Sequence, residues 1–222
     1  MKNSFKNVSF GVLALSVTAL PAWALSIANP GFETGDLSGW TLSADLPGTF
    51  ATVVSGFTAQ GGGDGRVYLP QEGSYFAVLS GGGKLTPAYT TLTQTFHMDI
   101  GDRLDGWAAF DARDQVPFND NAAVAIQVVS NGSLTPLYSK SVAQVGDYGS
   151  SPWETWSFTA ASAGDYTLAL GVRNIGDNLL NSRAIFDHSF TPHLVSDLGS
   201  TILLMGFGLT GVAGFRRKFG QN

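Results

Sequence analysis

The sequence predicts an all-β fold, an antiparallel β-sandwich or jelly roll, flanked by an N-terminal signal peptide and a C-terminal hydrophobic helix. Three observations lead there. Between its ends the chain holds no sustained apolar repeat at helical period, and short segments alternate apolar and polar residues instead. Turn-forming clusters separate those segments at regular intervals, as in sandwiches. Glycine makes up 28 of the 222 residues, enough to serve a turn between every pair of strands, and threonine and aromatics fill the segments themselves.

Lys2 and Lys6 precede an apolar run over 8–20 and then Pro21-Ala22-Trp23-Ala24. A basic start, a short apolar centre and small residues at Ala22 and Ala24 form a signal peptide over 1–24, with cleavage expected after Ala24. The run falls short of the roughly 20 residues of a spanning helix, and no cysteine follows it to carry lipid.

The body, 25–190, is expected as one β-sandwich domain with strands over 49–54, 75–79, 91–97, 104–111, 123–129, 134–141, 156–159, 166–172 and 183–190. Asn131-Gly132 favours the positive φ of a hairpin turn and is expected to join 123–129 to 134–141. Gly61-Gly62-Gly63-Asp64-Gly65, Gly81-Gly82-Gly83 and Gly146-Asp147-Tyr148-Gly149 mark other turns. In 166–172 the large residues fall on one face and the small ones on the other, so one face is core. In 104–113, Leu104, Ala108 and Phe110 share one face, while Asp105, Trp107, Asp111 and Arg113 share the other.

Residues 191–194 are read as a linker and 195–222 as a sorting tail. Val195-Ser196-Asp197 and Gly199-Ser200-Thr201 lead into an apolar run over 202–215, closed by Arg216-Arg217-Lys218. A helix over that run rises only about 20 Å against a hydrocarbon core of roughly 30 Å, and the basic cluster would hold its end on the cytoplasmic side. Gly206-Phe207-Gly208-Leu209-Thr210-Gly211 spells a dinucleotide-binding turn, but the required βαβ context is missing and the chain ends before the partner acid.

This tail resembles the PEP-CTERM class of sorting signals in its Val-Pro-Asp variant, through Val195, Asp197, Arg216 and Arg217, with Ser196 standing where that class has proline. The resemblance implies export by the Sec machinery, handling by an exosortase, transient membrane anchoring, and delivery to the cell surface or exopolysaccharide matrix of a Gram-negative bacterium.

Charge narrows the function classes. The whole chain carries −5, but the ends hold 5 of its 12 basic residues and only one of its 17 acidic ones; the body keeps 7 Lys and Arg against 16 Asp and Glu, a formal −9. Such a surface excludes nucleic acid as a partner. With no cysteine, disulfides, thiol nucleophiles and thiolate zinc sites are excluded as well.

The body has a resemblance of its own. Asn29-Pro30-Gly31-Phe32-Glu33-Thr34-Gly35-Asp36-Leu37-Ser38-Gly39-Trp40 is similar to the opening strand and turn of galactose-binding-like jelly rolls in carbohydrate-binding modules, and 114–120 and Ser182-Arg183-Ala184-Ile185-Phe186-Asp187 resemble later segments. In such modules an acid near the first strand and one on the last share a structural calcium. The resemblance therefore implies Ca²⁺ at Glu33 and Asp187, with Asp36 added by proximity. Calcium takes six to eight hard oxygens, which suits carboxylates mixed with carbonyls.

Sugar binding requires an exposed aromatic face with polar groups beside it. Trp107, Tyr148 and Trp153 are the candidate platforms and Asp111, Arg113 and Asn119 the candidate hydrogen-bonding partners, while Trp40, Trp156 and Phe158 are expected in the core. No enzyme is expected. His97, His188 and His193 have no metal-site spacing, no G-x-S-x-G is present, and Gly81-Gly82-Gly83-Lys84 lacks the remaining letters of a phosphate loop. His188 and Asp187 point to opposite faces of their strand. The expected function is a non-catalytic carbohydrate-binding module of the envelope or matrix. The alternatives are a structural or adhesive matrix protein with protein partners, or a polysaccharide-degrading enzyme.

Overall fold

A computed structural model describes residues 27–44, 48–61, 65–82, 89–177 and 179–189. The expected signal peptide, the linker, the tail with Val195, Ser196, Asp197, Arg216 and Arg217, and the tail's apolar run lie outside the described residues. Among the described residues no helix is long and apolar enough to cross a membrane.

A 3₁₀ turn (Pro30–Phe32) opens the fold, followed by β1 (Thr41–Ser43), β2 (Phe50–Val54), β3 (Phe57–Thr58), β4 (Val67–Tyr68), β5 (Phe76–Ser80), β6 (Thr90–Met98) and β7 (Arg103–Asp111). Then come β8 (Asn121–Val128), β9 (Leu134–Ser141), the one-turn helix α1 (Val142–Val145), β10 (Glu154–Thr159), β11 (Gly164–Arg173) and β12 (Arg183–Ser189). All pairings are antiparallel, in two five-stranded sheets ordered β1-β6-β11-β8-β9 and β10-β7-β12-β5-β2, with β3 and β4 as a separate pair. The molecule is the predicted antiparallel β-sandwich, and each expected strand is present with ends shifted by two residues at most.

The two sheets face each other through their alternating apolar sides. Leu92, Phe96 and Met98 of β6, Leu168 and Leu170 of β11, and Val124 and Ile126 of β8 meet Leu104 and Phe110 of β7, Phe186 of β12 and Leu79 of β5 in one buried cluster. Trp40, Trp156 and Phe158 pack there as expected. Trp156 lies over Gly106, where a Cβ would overlap its ring, so the bare backbone at Gly106 makes room for the indole.

The sequence expectation departs from the structure at the opening segment. Residues 29–40 form a turn rather than a strand, because Asn29, Gly31 and Phe32 all take positive φ. Gln94 replaces a strand partner there: its Oε1 accepts from Ala28 N at 2.7 Å, and its Nε2 donates to the carbonyls of Ala28 and Gly39. Phe32 is thereby held fully buried, 5.2 Å from Trp40 between ring centroids. The Asn131-Gly132 hairpin is present as a longer loop in which Gly132 has φ 70° and Val128 N donates to Ser133 O.

A second, smaller core lies on the outer face of the β7-β12-β5 region. Tyr68, Phe76, Val78, Ala109 and Ile185 pack beneath the β3-β4 pair, with Trp153 against them.

Candidate functional site

Two carboxylates expected at a metal site meet at one loop. Glu33, just after the 3₁₀ turn, accepts Ser74 N at 2.8 Å and Tyr75 N at 3.2 Å. Asp187, fully buried on the outward side of β12, accepts Gln71 N at 2.6 Å and Glu72 N at 3.1 Å through Oδ2, and His188 N at 2.8 Å through Oδ1. Burial raises the Asp187 carboxyl above its ordinary value, the three N–H groups work against that, and the nearby Glu33 charge adds to it. A pocket of about 570 Å³ opens between Asn29, Gly31, Glu33, Glu72 and Gly73, and no lysine or arginine lines it.

That donor set suits a hard cation in part. A carboxylate has about four lone-pair positions, so Glu33 and Asp187 both keep capacity beyond their N–H bonds. The His188 carbonyl faces Gly31 closely enough that a Cβ there would meet it at 2.7 Å, which puts a carbonyl beside the same turn. Among the described residues no three His, Asp or Glu side chains converge to hold an ion, so carbonyls and water would supply the remaining oxygens. Asp36 stays apart from this pocket. Its carboxylate accepts the Thr34 hydroxyl at 2.6 Å and Ser38 N at 2.9 Å, bonds that lower its pKa in that order.

Trp107 stands half exposed on the outward side of β7, between Thr155 of β10 and Asp187 of β12. Alternation along β7 sends Leu104, Ala108 and Phe110 inward and leaves Arg103, Asp105 and Trp107 outside. A depression of about 430 Å³ forms there, lined by Arg103, Asp105, Trp107, Thr155 and Ser157. Arg103 donates through Nε and Nη2 to the Asp105 carboxylate at 2.6 to 2.9 Å, so the charged pair sits beside the indole in a fixed arrangement.

The other sequence candidates are not gathered around Trp107. Asp111 is fully buried and accepts Gln60 N at 3.2 Å and Gly61 N at 3.1 Å; Arg113 donates to it at 3.3 Å and also bonds Gln60 Oε1. Asn119 Oδ1 accepts Ala143 N at the start of α1. Trp153 donates to Leu69 O at 3.1 Å and makes T-shaped contacts with Tyr68 and Phe76, so it packs, partly buried, against the smaller core. Tyr148 lies in the 146–149 turn at φ 54°, its N–H on Asp114 O.

A third concavity was not anticipated. On the outer face of the β6-β11-β8-β9 sheet a groove of about 350 Å³ has a floor of Ala123, Ala125, Ala169 and Gly171 and flanks that include Tyr89 and Pro136. Its sequence signal is the small-residue phase of 166–172, opposite the large residues that form the core.

No protein-family profile and no curated protein matches the chain. Solved structures similar to it include TmCBM61 in complex with β-1,4-galactotriose (18% identity, TM-score 0.42, 73% of this chain and 96% of that one). A family 16 carbohydrate-binding module matches at 15% identity and TM-score 0.41, over 75% of this chain and 97% of that one. The K3 cleaved adhesin domain of Lys-gingipain from Porphyromonas gingivalis matches at 13% identity and TM-score 0.43, over 74% and 98%. At these TM-scores the likenesses say nothing of what this chain binds.

Proposed function

We propose that this protein is a non-catalytic carbohydrate-binding module, exported and sorted to an exopolysaccharide matrix, in which Trp107 is the sugar platform. The supporting observation is the half-exposed indole beside the Arg103-Asp105 pair and the Thr155 and Ser157 side chains in one depression. The CH-rich face of a pyranose stacks on an indole, and hydroxyl and charged groups at its edge fix the ring's orientation. Calcium at Glu33 and Asp187 would be structural, neutralising two carboxylates beside a pocket that no lysine or arginine lines. Export by way of residues 1–24 and exosortase handling of the tail at Val195, Ser196 and Asp197 belong to the same proposal and rest on the sequence alone.

The test is retention of the full chain on the exopolysaccharide of its host, compared with Trp107→Ala. Loss of retention at unchanged melting temperature supports the proposal. Undiminished retention of the variant overturns Trp107 as the platform, and release of reducing ends overturns the non-catalytic role.

A further inference from the structure

We infer that the groove on the outer face of the β6-β11-β8-β9 sheet is a separate binding site for carboxylate-bearing sugars, with Arg173 as the residue that recognises the carboxylate. The inference does not depend on Trp107, which lies on the opposite sheet.

Arg173 is unusual among the cations of this acidic domain. Arg103 is committed to Asp105, Arg113 to Asp111, Lys140 to Glu154 at 2.7 Å, and Arg183 bonds Asn181 O and Ser80 while lying over Phe50. Among the described residues no carboxylate pairs with Arg173, and its buried Nε has no hydrogen-bond partner. Its guanidinium lies over the Tyr89 ring, 4.8 Å from the centroid. Tyr89 is fixed in turn: its hydroxyl donates to Asn121 Oδ1 at 2.7 Å, and its ring packs where a side chain on Gly171 would begin. The cation is thus oriented by stacking and, among the described residues, no acid is paired with it, the arrangement in which arginine takes a carboxylate through two parallel N–H bonds.

The groove beside it fits the rest of such a ligand. Ala123, Ala125, Ala169 and Gly171 lie on the outward phase of β8 and β11, register partners across one ladder, so the floor is broad and free of long side chains. A flat apolar floor suits the CH face of a pyranose, and the cation at its Tyr89 end supplies charge complementarity for a uronate. No Asp or Glu lines the groove, and a short uronate, unlike a long polyanion, meets the rest of the body's formal −9 largely beyond the Debye length of about 8 Å at physiological ionic strength.

Calorimetric titration of the full chain with an oligogalacturonate, a neutral oligogalactan of equal length and an oligoglutamate peptide tests this. The oligogalacturonate is expected to bind, with affinity falling at least about tenfold in Arg173→Gln, as loss of a charge-assisted bond implies, and recovering in part in Arg173→Lys. Ala125→Phe, which fills the floor without touching Arg173, is expected to abolish the same binding, whereas Trp107→Ala leaves it unchanged. Equal affinity of wild type and Arg173→Gln for oligogalacturonate overturns the inference; so does binding of the neutral glycan or of the peptide to Trp107→Ala as tight as that of oligogalacturonate. Loss of neutral-glycan binding in Trp107→Ala, with uronate binding intact, separates this site from the one proposed above.

Discussion

Asp187 and Glu33 hold one loop from its two ends: Asp187 accepts the N–H groups of Gln71 and Glu72, and Glu33 those of Ser74 and Tyr75. Asp111 repeats the device on Gln60 and Gly61, so three carboxylates each take two consecutive backbone donors and fasten both sides of the β3-β4 pair to the sandwich. The satellite core of Tyr68, Phe76 and Trp153 lies beneath this fastened segment. Carboxylates read from sequence as ligands therefore have a scaffolding task whether or not an ion is bound.

Asp187→Ala should be strongly destabilising, because it empties a fully buried position and removes the acceptor of the buried His188 N–H and of the Gln71 and Glu72 N–H groups. A cost of about 3 kcal/mol is expected, or roughly 6–12 °C in Tm for a chain of this size. Asp36→Ala, at an exposed turn, should cost less than about 1 kcal/mol. Thermal unfolding followed by circular dichroism compares the two, and equal effects would refute the clamp.

Excess calcium should raise the Tm of the full chain and EDTA should reverse the rise. At a hundredfold excess over Kd the gain is about 2.7 kcal/mol. Glu33→Gln, which keeps the side chain's shape and removes its charge, should show little of that gain. A Tm indifferent to both calcium and EDTA would exclude the ion.

Two buried groups set opposing pH trends. Burial lifts the Asp120 carboxyl from 3.8 to about 6, against the pull of the Ser182 hydroxyl and the Ile175 N–H. Between those values the fold keeps a proton that the unfolded chain has released, so this contribution to stability falls as pH rises toward 6. Burial lowers His188 from 6.5 to about 4, and neither ring nitrogen has a partner. There the unfolded chain takes up a proton that the fold refuses, so stability falls as pH drops from 6.5 toward 4. Relative to wild type, Asp120→Asn should lose Tm on acidification through this window and His188→Leu should gain it, each on the order of 2 kcal/mol. Parallel pH profiles for all three proteins would contradict both assignments.

Gly106→Ala should cost about 1–3 kcal/mol, because its Cβ would overlap the Trp156 ring that fills the space beneath it. Trp107→Ala at the next position should change stability by less than about 1 kcal/mol, since that side chain faces outward. Denaturant titration of both variants checks the contrast, and a tolerated alanine at Gly106 would contradict the packing.

Most of the strands were legible because burial on one side imposes a two-residue period, as in 166–172 and 104–111, and turn formers bound each run. β1, β3 and β4 were not, being three residues long or shorter and too brief to show a period. The opening turn was hidden because its conformation depends on Gln94, more than fifty residues away in sequence. Site residues were legible in face but not in neighbourhood. Sequence phase put Trp107 and Asp111 on one side of β7, yet the loop carrying Gln60 and Gly61 covers Asp111 and leaves Trp107 open. Arg173 gave no local signal, since its significance lies in its stacking on Tyr89 and in having, among the described residues, no acid paired with it.

The central claim is that the Trp107 depression binds polysaccharide, and affinity electrophoresis of wild type and Trp107→Ala through gels containing the host exopolysaccharide tests it most directly. Wild type is expected to migrate with retardation that the variant loses, while both migrate alike in a gel without polysaccharide. Equal retardation of the two proteins, or none for wild type, would contradict it.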